Sequence, residues 1–175
     1  MLTTNIATAT GVAVGTESLV IGMGEYIVTD DANAVLACIG LGSCIAVCVY
    51  DRLSRIGGMV HVVLPRHDGV TNGDQAKYAN TAVPMLLQEV LKTGGIRNRL
   101  MIKIAGGARM TTARGLNDTF KTGERNLAEV IAALEKEKLS LAAADTGGST
   151  GRTVKMYLGT GKVTVKMVGC EPKEI

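Results

Sequence analysis

GLGSCIAVCVYDRLSRIGGMVHVVL, residues 40–64, holds two apolar runs joined by a short polar link. Residues 43–50 (SCIAVCVY) and 57–64 (GGMVHVVL) have strand length and are rich in β-branched side chains. A link as short as Asp51–Ile56 predicts an antiparallel hairpin. With the turn centred on Arg52-Leu53, Cys44 falls opposite His61. A register displaced by two residues keeps them on one face as diagonal neighbours, whereas a one-residue slip sends them to opposite faces. The most compact hairpin therefore sets a thiol beside an imidazole.

Outward from this hairpin, six further short apolar segments read as strands: 25–29, 34–39, 99–105, 140–144, 152–158 and 162–168. The last two alternate, with Val154, Met156 and Leu158 on one face and Val163, Val165 and Met167 on another. Gly159-Thr160-Gly161 between them reads as a tight hairpin turn. Two segments have helical spacing. In Asn80–Lys92, Val83, Leu86, Leu87, Val90 and Leu91 form one stripe, with Asn80 as the expected N-cap and Gly94-Gly95 as the stop. In Glu124–Lys138, Leu127, Val130, Ile131 and Leu134 form the stripe, capped by Thr122 or Gly123. Eight strands and two helices do not make a regular βαβ alternation. The expected fold is α+β, a layered sandwich of two mixed β-sheets with flanking α-helices. Residues 1–18, rich in Thr, Ala and Gly, read as a mobile N-terminal tail, and residues 19–175 as one domain.

Composition narrows the function. A chain of 175 residues with 46% hydrophobic content can bury a core without metal or disulfide staples. The net charge of +3 is small and scattered, and aromatics are 3%, which argues against a nucleic-acid surface. The apolar run from Ala34 to Tyr50 is too short and too broken by glycine to span a bilayer. The N-terminus has no basic leader, so a cytoplasmic setting is expected. Cys38, Cys44, Cys48 and Cys170 have no CxxC spacing, and there are two histidines, which argues against a zinc site or any other metal. Cys44 and Cys48 lie about 13 Å apart along one strand, too far for a disulfide.

The chemistry concentrates at Gly40-Leu41-Gly42-Ser43-Cys44. A glycine-rich turn exposes backbone N–H groups, and a thiol at its exit can serve as a nucleophile beside an oxyanion hole built from Gly42 and Ser43. The same residues also suit a buried structural cysteine. His61 supplies a base if the hairpin register holds, and a satisfied core histidine otherwise. Three other clusters collect glycines and polar residues at element ends: Gly106-Gly107, Thr122–Asn126, and Asp145–Arg152 with Gly147 and Gly148. They serve as turns, or as loops that gather round the Cys44–His61 pair and accept a peptide.

The segments GLGSCIAVCVYD (40–51), GGMVHVVLP (57–65), KYANTAVPMLLQEVLKTGG (77–95), IAGGARM (104–110), TGERN (122–126) and DTGGSTGRTVKMYLGTGKVTVK (145–166) occur in this order. Together they resemble the CheD family, chemoreceptor glutamine deamidases of bacterial and archaeal chemotaxis. The resemblance covers residues 20–168. It implies two mixed sheets with flanking helices, and hydrolysis of glutamine side-chain amides in chemoreceptors to glutamate and ammonia. It implies Cys44 as nucleophile and His61 as base, with no cofactor. It also implies a CheC-type phosphatase as a partner. A family position six residues before the nucleophile is often Thr, and here it is Cys38. That leaves the third catalytic role to Cys38, to a backbone group or to Ser43. Asn126, Gly106, Gly107, Gly147 and Gly148 are the candidates for substrate loops. The rival reading is a non-catalytic adaptor that binds the phosphatase or the receptor.

Overall fold

The computed structural model describes residues 3–4, 18–69, 74–110 and 121–175. Its strands are β1 Thr3–Thr4, β2 Ser18–Val20, β3 Tyr26–Thr29, β4 Val35–Leu41, β5 Ile45–Asp51, β6 Ile56–Val62, β7 Leu100–Gly106, β8 Leu141–Thr146, β9 Arg152–Tyr157, β10 Lys162–Met167 and β11 Lys173–Glu174. The helices are α1, Ala79–Lys92, and α2, Thr122–Lys136. One sheet has six strands in the order β1-β3-β6-β5-β7-β8, and the other five in the order β11-β10-β9-β4-β2. Each carries one parallel pair, β7–β8 in the first and β2–β4 in the second, so both are mixed. This is the expected α+β sandwich with its helices on the outside. All eight strands and both helices read from the sequence are present, with no end displaced by more than two residues.

Strand β5 is buried along its whole length because both of its faces are covered. Ile45, Val47 and Val49 point into a core shared with Val83, Leu86, Leu87 and Val90 of α1 and Val130 and Leu134 of α2. Ala46, Cys48 and Tyr50 point the other way, into a core shared with Leu36, Val154, Met156 and Val163 of the second sheet. The layers are thus helices, six-stranded sheet, five-stranded sheet. Each large apolar side chain enclosed this way contributes about 2 kcal/mol.

The hairpin β5–β6 closes through four residues, Arg52–Arg55, and not on a turn centred at Arg52-Leu53. Asp51 pairs with Ile56, and Ala46, rather than Cys44, stands opposite His61. The wider turn has a local cause. The Asp51 carboxylate accepts hydrogen bonds from Leu53 N (3.0 Å) and Ser54 N (3.4 Å), and Arg55 takes a left-handed φ of 54°. The other carboxylate oxygen accepts from Ile96 N (2.9 Å) and Arg99 (2.6 and 3.0 Å), tying the turn to the chain entering β7. The register is displaced by two residues, so Cys44 and His61 remain on one face.

Other local expectations change. Helix α1 begins at Ala79 after an extended Tyr78, without a side-chain cap. Asn80 instead ties down the preceding loop, donating to His67 O (2.9 Å) and accepting from His67 N (3.1 Å). Helix α2 begins at Thr122 and has no side-chain cap. Pro84 lies within α1, which continues through it. Of the N-terminal tail, Thr3–Thr4 pair with β3 and Ser18 opens β2, and residues 1–2 and 5–17 lie outside the described residues. No helix among the described residues is long and apolar enough to cross a membrane.

Burial pushes the Asp51 carboxyl up, but Arg99 and the N–H groups of Ile96 and Ser54 outweigh it and hold the group well below its ordinary 3.8. Its stabilising contribution is therefore complete above that ordinary value and is lost as pH falls toward the lower folded one. Asp51→Ala is expected to cost about 3 kcal/mol in urea unfolding at neutral pH. The difference from wild type should narrow as pH drops below the carboxylate range. A constant difference across that range would show that the carboxylate charge does not support the turn.

Candidate active site

Cys44 leaves the connection that carries the chain from the second sheet to the first. Strand β4 is irregular between Cys38 and Leu41, where Gly40 adopts a φ of 70°. The chain then crosses through Gly42 and Ser43 to Cys44, which is half-buried at the mouth of the inter-sheet core. The turn is held largely by main chain. Gly107 N donates to Cys44 O and Ala108 N to Gly42 O, both at 2.8 Å. This requires glycine at position 106, where a Cβ would lie 2.1 Å from the Cys44 carbonyl oxygen and φ is 127°. Asn126, fully buried on α2, donates from Nδ2 to Ser43 O and to Val63 O, both at 2.9 Å. One side chain therefore joins the residue before Cys44 to the residue two beyond His61.

The loops with Gly147 and Gly148 join the same assembly. Gly147 N donates to Gly106 O (3.0 Å), and Arg109 N donates to Gly148 O (2.8 Å). Buried Arg152 donates to Gly106 O (2.6 Å) and Gly147 O (2.8 Å), while its Nε lies 3.3 Å from Asp145. Asp145 in turn meets Lys173 of β11 at 2.5 Å. Gly106, Gly107, Gly147, Gly148 and Asn126 are thus brought together around Cys44. Their polar groups hold the turn, and the buried Asn126 Oδ1 is left without a partner. Among the described residues, the N–H groups of Gly42, Ser43 and Cys44 donate to no main-chain acceptor.

His61 is buried and shares the inter-sheet face with Met59 of its own strand. Its Nδ1 lies 3.3 Å from the Ile21 carbonyl oxygen. A carbonyl can only accept, so this contact places the proton on Nδ1 and leaves a lone pair on Nε2. Nε2 is buried and has no hydrogen-bond partner among the described residues, Cys44 included. Cys38 does not approach the imidazole as a partner. Its thiol is fully buried and lies 3.4 Å from the Met59 sulfur. Ile21 was not singled out in the sequence, because a main-chain carbonyl leaves no side-chain signature. Arg152 and Asp145 lay within a stretch read as glycine loop, and their pairing across a strand could not be seen in the linear order.

Burial dominates the electrostatics. It pushes the His61 imidazole below its ordinary 6.5, against the Ile21 hydrogen bond and the charge of Glu25, which act the other way. It pushes the Cys44 thiol above its ordinary 9.0. Cys48, also opposed by Lys103, is pushed up to about 12. Both shifts favour neutral thiol and neutral imidazole over thiolate and imidazolium. Cys48 is buried and Cys170 exposed in the turn after β10.

Residues 63–167 match the family described as CheD chemotactic sensory transduction. The chain is 39% identical over 155 residues to a probable chemoreceptor glutamine deamidase CheD of Desulfitobacterium hafniense, an alignment covering 89% of this chain and 96% of that protein. It is 43% identical over 152 residues to the probable chemoreceptor glutamine deamidase CheD of Symbiobacterium thermophilum, covering 85% and 92%. It is also 43% identical over 150 residues to the chemoreceptor glutamine deamidase CheD of Thermotoga maritima, covering 86% and 92%. The chain belongs to the CheD family.

With Cys170 replaced by Ser, iodoacetamide is expected to label native protein at Cys44, since Cys38 and Cys48 are buried. The labelling rate should keep climbing as pH rises past 9, following a thiol raised by burial. A rate already at its plateau near neutral pH would show a preformed thiolate and overturn the neutral pair.

Proposed function

We propose that this chain is a protein-glutamine glutaminase that hydrolyses side-chain amides of specific chemoreceptor glutamines to glutamate and ammonia. Family membership and the names of its relatives support the activity. The single observation that carries the mechanism is the free Nε2 of His61, with its tautomer set by Ile21, on the same sheet face as a half-buried thiol.

In this mechanism Cys44 approaches the glutamine Cδ while its thiol proton passes to His61 Nε2. A C–S bond forms, and the amide oxygen becomes an oxyanion. The N–H groups of Ser43 and Cys44, which have no main-chain acceptor among the described residues, are its donors, worth about 3 kcal/mol each. The C–N bond then breaks. His61 gives the proton to the leaving nitrogen, which departs as ammonia. Water attacks the thioester with His61 as base, and glutamate and the thiol are released. No outside reactant other than water is needed. His61 must be unprotonated to begin, and its value lies below 6.5. The rate is therefore flat above that pH and falls as pH drops through the folded value. Cytoplasmic helices of a methyl-accepting chemotaxis protein are the substrate in this reading. A CheC-type phosphatase is a regulatory partner.

Mass spectrometry of a cognate receptor cytoplasmic fragment tests the reading. Wild type is expected to convert particular glutamines to glutamates, while Cys44→Ala and His61→Ala convert none and retain the wild-type circular dichroism spectrum. Conversion by Cys44→Ala at the wild-type rate, or no conversion by wild type, would leave the adaptor reading in its place.

Cys38 gives a second test. Its thiol faces Met59 and not the imidazole. Cys38→Thr and Cys38→Val should therefore deamidate within about twofold of each other, since a group that makes no transition-state contact leaves kcat/KM nearly unchanged. A large advantage for Thr would assign this position a catalytic hydrogen bond.

A further inference from the structure

Between β2 and β3 the chain makes one tight turn, and that turn holds His61 from three sides. His61 N donates to Glu25 O (3.0 Å), and Gly24 N donates to His61 O (2.9 Å). The ring's Nδ1 meets Ile21 O at 3.3 Å. Ile21 is itself anchored, since its N–H donates to Ala37 O of β4 (2.8 Å). The turn closes twice. Glu25 N donates to Gly22 O (3.1 Å), and the Glu25 side chain folds back so that Oε2 accepts from Gly22 N (2.8 Å). Gly22 permits this, because a Cβ there would lie 2.9 Å from that oxygen. An exposed glutamate ordinarily extends into water, where its chain keeps its rotamer freedom. Here it is committed to the segment that supports the imidazole.

We propose that Glu25 is the positioning residue of the Cys44–His61 pair. By accepting the Gly22 N–H it closes the turn that aims the Ile21 carbonyl at Nδ1. Its negative charge stabilises the imidazolium that forms when His61 takes the Cys44 proton. Main chain and carboxylate together thereby fill the orienting role that the side chain of Cys38 does not. The other titratable groups on the inter-sheet side are Tyr50, whose hydroxyl donates to Leu158 O, Lys103, whose ammonium donates to Ile175 O, and three thiols. Cys38, Cys44 and Cys48 are all pushed upward by burial and contribute no charge at neutral pH. Glu25 is the charged side chain whose field raises the basicity of His61 against burial. A carboxylate near an imidazole favours the protonated form, and solvent screening at an exposed site limits the effect to a fraction of what a buried pair would show.

The catalytic part of this proposal rests on the deamidase reading, and the positioning part does not. The chain has two histidines, so a His67→Gln background leaves one imidazole to observe. Long-range proton–nitrogen NMR of the full chain in that background reports the tautomer and titration of His61 directly. With Glu25 in place, the neutral ring should carry its proton on Nδ1. Glu25→Gln keeps an acceptor for Gly22 and loses the charge. It should leave the proton on Nδ1, lower the His61 pKa by about half a unit, and move the acid limb of kcat to lower pH by the same amount. Its kcat should fall about threefold with KM little changed, as expected of a group that acts on the transition state. Glu25→Ala loses acceptor and charge together and should give mixed tautomers and a larger fall in kcat. A ring proton on Nε2 in the wild-type turn, or a Glu25→Gln protein whose His61 titration is unchanged, overturns the proposal. If the NMR shifts appear but no variant deamidates the receptor fragment, the deamidase reading fails while Glu25 keeps its hold on His61.

Discussion

Ala46 stands opposite His61, and this one pairing decides what the inter-sheet face can do. Strand side chains alternate, so a slip of one residue between β5 and β6 would bury Cys44 against the helices and leave His61 without a thiol on its side. Two polar side chains secure the register from opposite ends. Asp51 closes the hairpin turn with one carboxylate oxygen and ties it to the chain entering β7 with the other, and Asn126 clamps the far end by donating to Ser43 and Val63. Both are fully buried; Asp51 accepts from three main-chain N–H groups and Arg99, and Asn126 commits both of its amide N–H groups to main-chain carbonyls. A buried polar residue that is satisfied in only one arrangement specifies that arrangement, because any other leaves it unpaired.

The environment that makes this pair accessible to chemistry also keeps it at rest. Enclosure between two sheets withholds water from His61 and most of Cys44, and so disfavours charge on either. In the proposed reaction the proton therefore moves during the step, not before it. Such a thiol is protected from casual alkylation and oxidation, which require thiolate. The sulfur of Cys38 extends the same logic. Paired with Met59, it behaves as a small apolar filler, and the imidazole is oriented by a carbonyl that no side-chain substitution removes.

Much of this was legible in the linear sequence, and the parts that were not share a cause. The eight apolar segments and two helical stripes are strong periodic signals, and the Cys44–His61 face follows from parity alone. The turn length was misjudged because the Asp51 side chain, rather than the backbone, sets it, and its partners Ile96 and Arg99 are distant in sequence. The expected Asn80 cap failed because the same side chain has a competing use in holding His67. Strands β2 and β11 have three and two residues, too few for a period to register. The role of Ile21 resides in its peptide oxygen, about which residue type carries no information.

The carbonyl of Cys44 and the carbonyl of Gly42 are both held by N–H groups of the Gly107-Ala108 segment, at a distance only glycine at 106 allows. The geometry of the turn that carries Cys44 is thus written in peptide groups, which every residue possesses. Side chains lining this turn can drift while the sulfur stays where it is, so that, on the deamidase reading, target specificity could change without moving Cys44. The intolerant positions in a saturation scan would then include residues with no chemistry of their own. Gly106 would rank beside Cys44 and His61, and its sensitivity would mark a steric limit on the backbone, not a lost functional group.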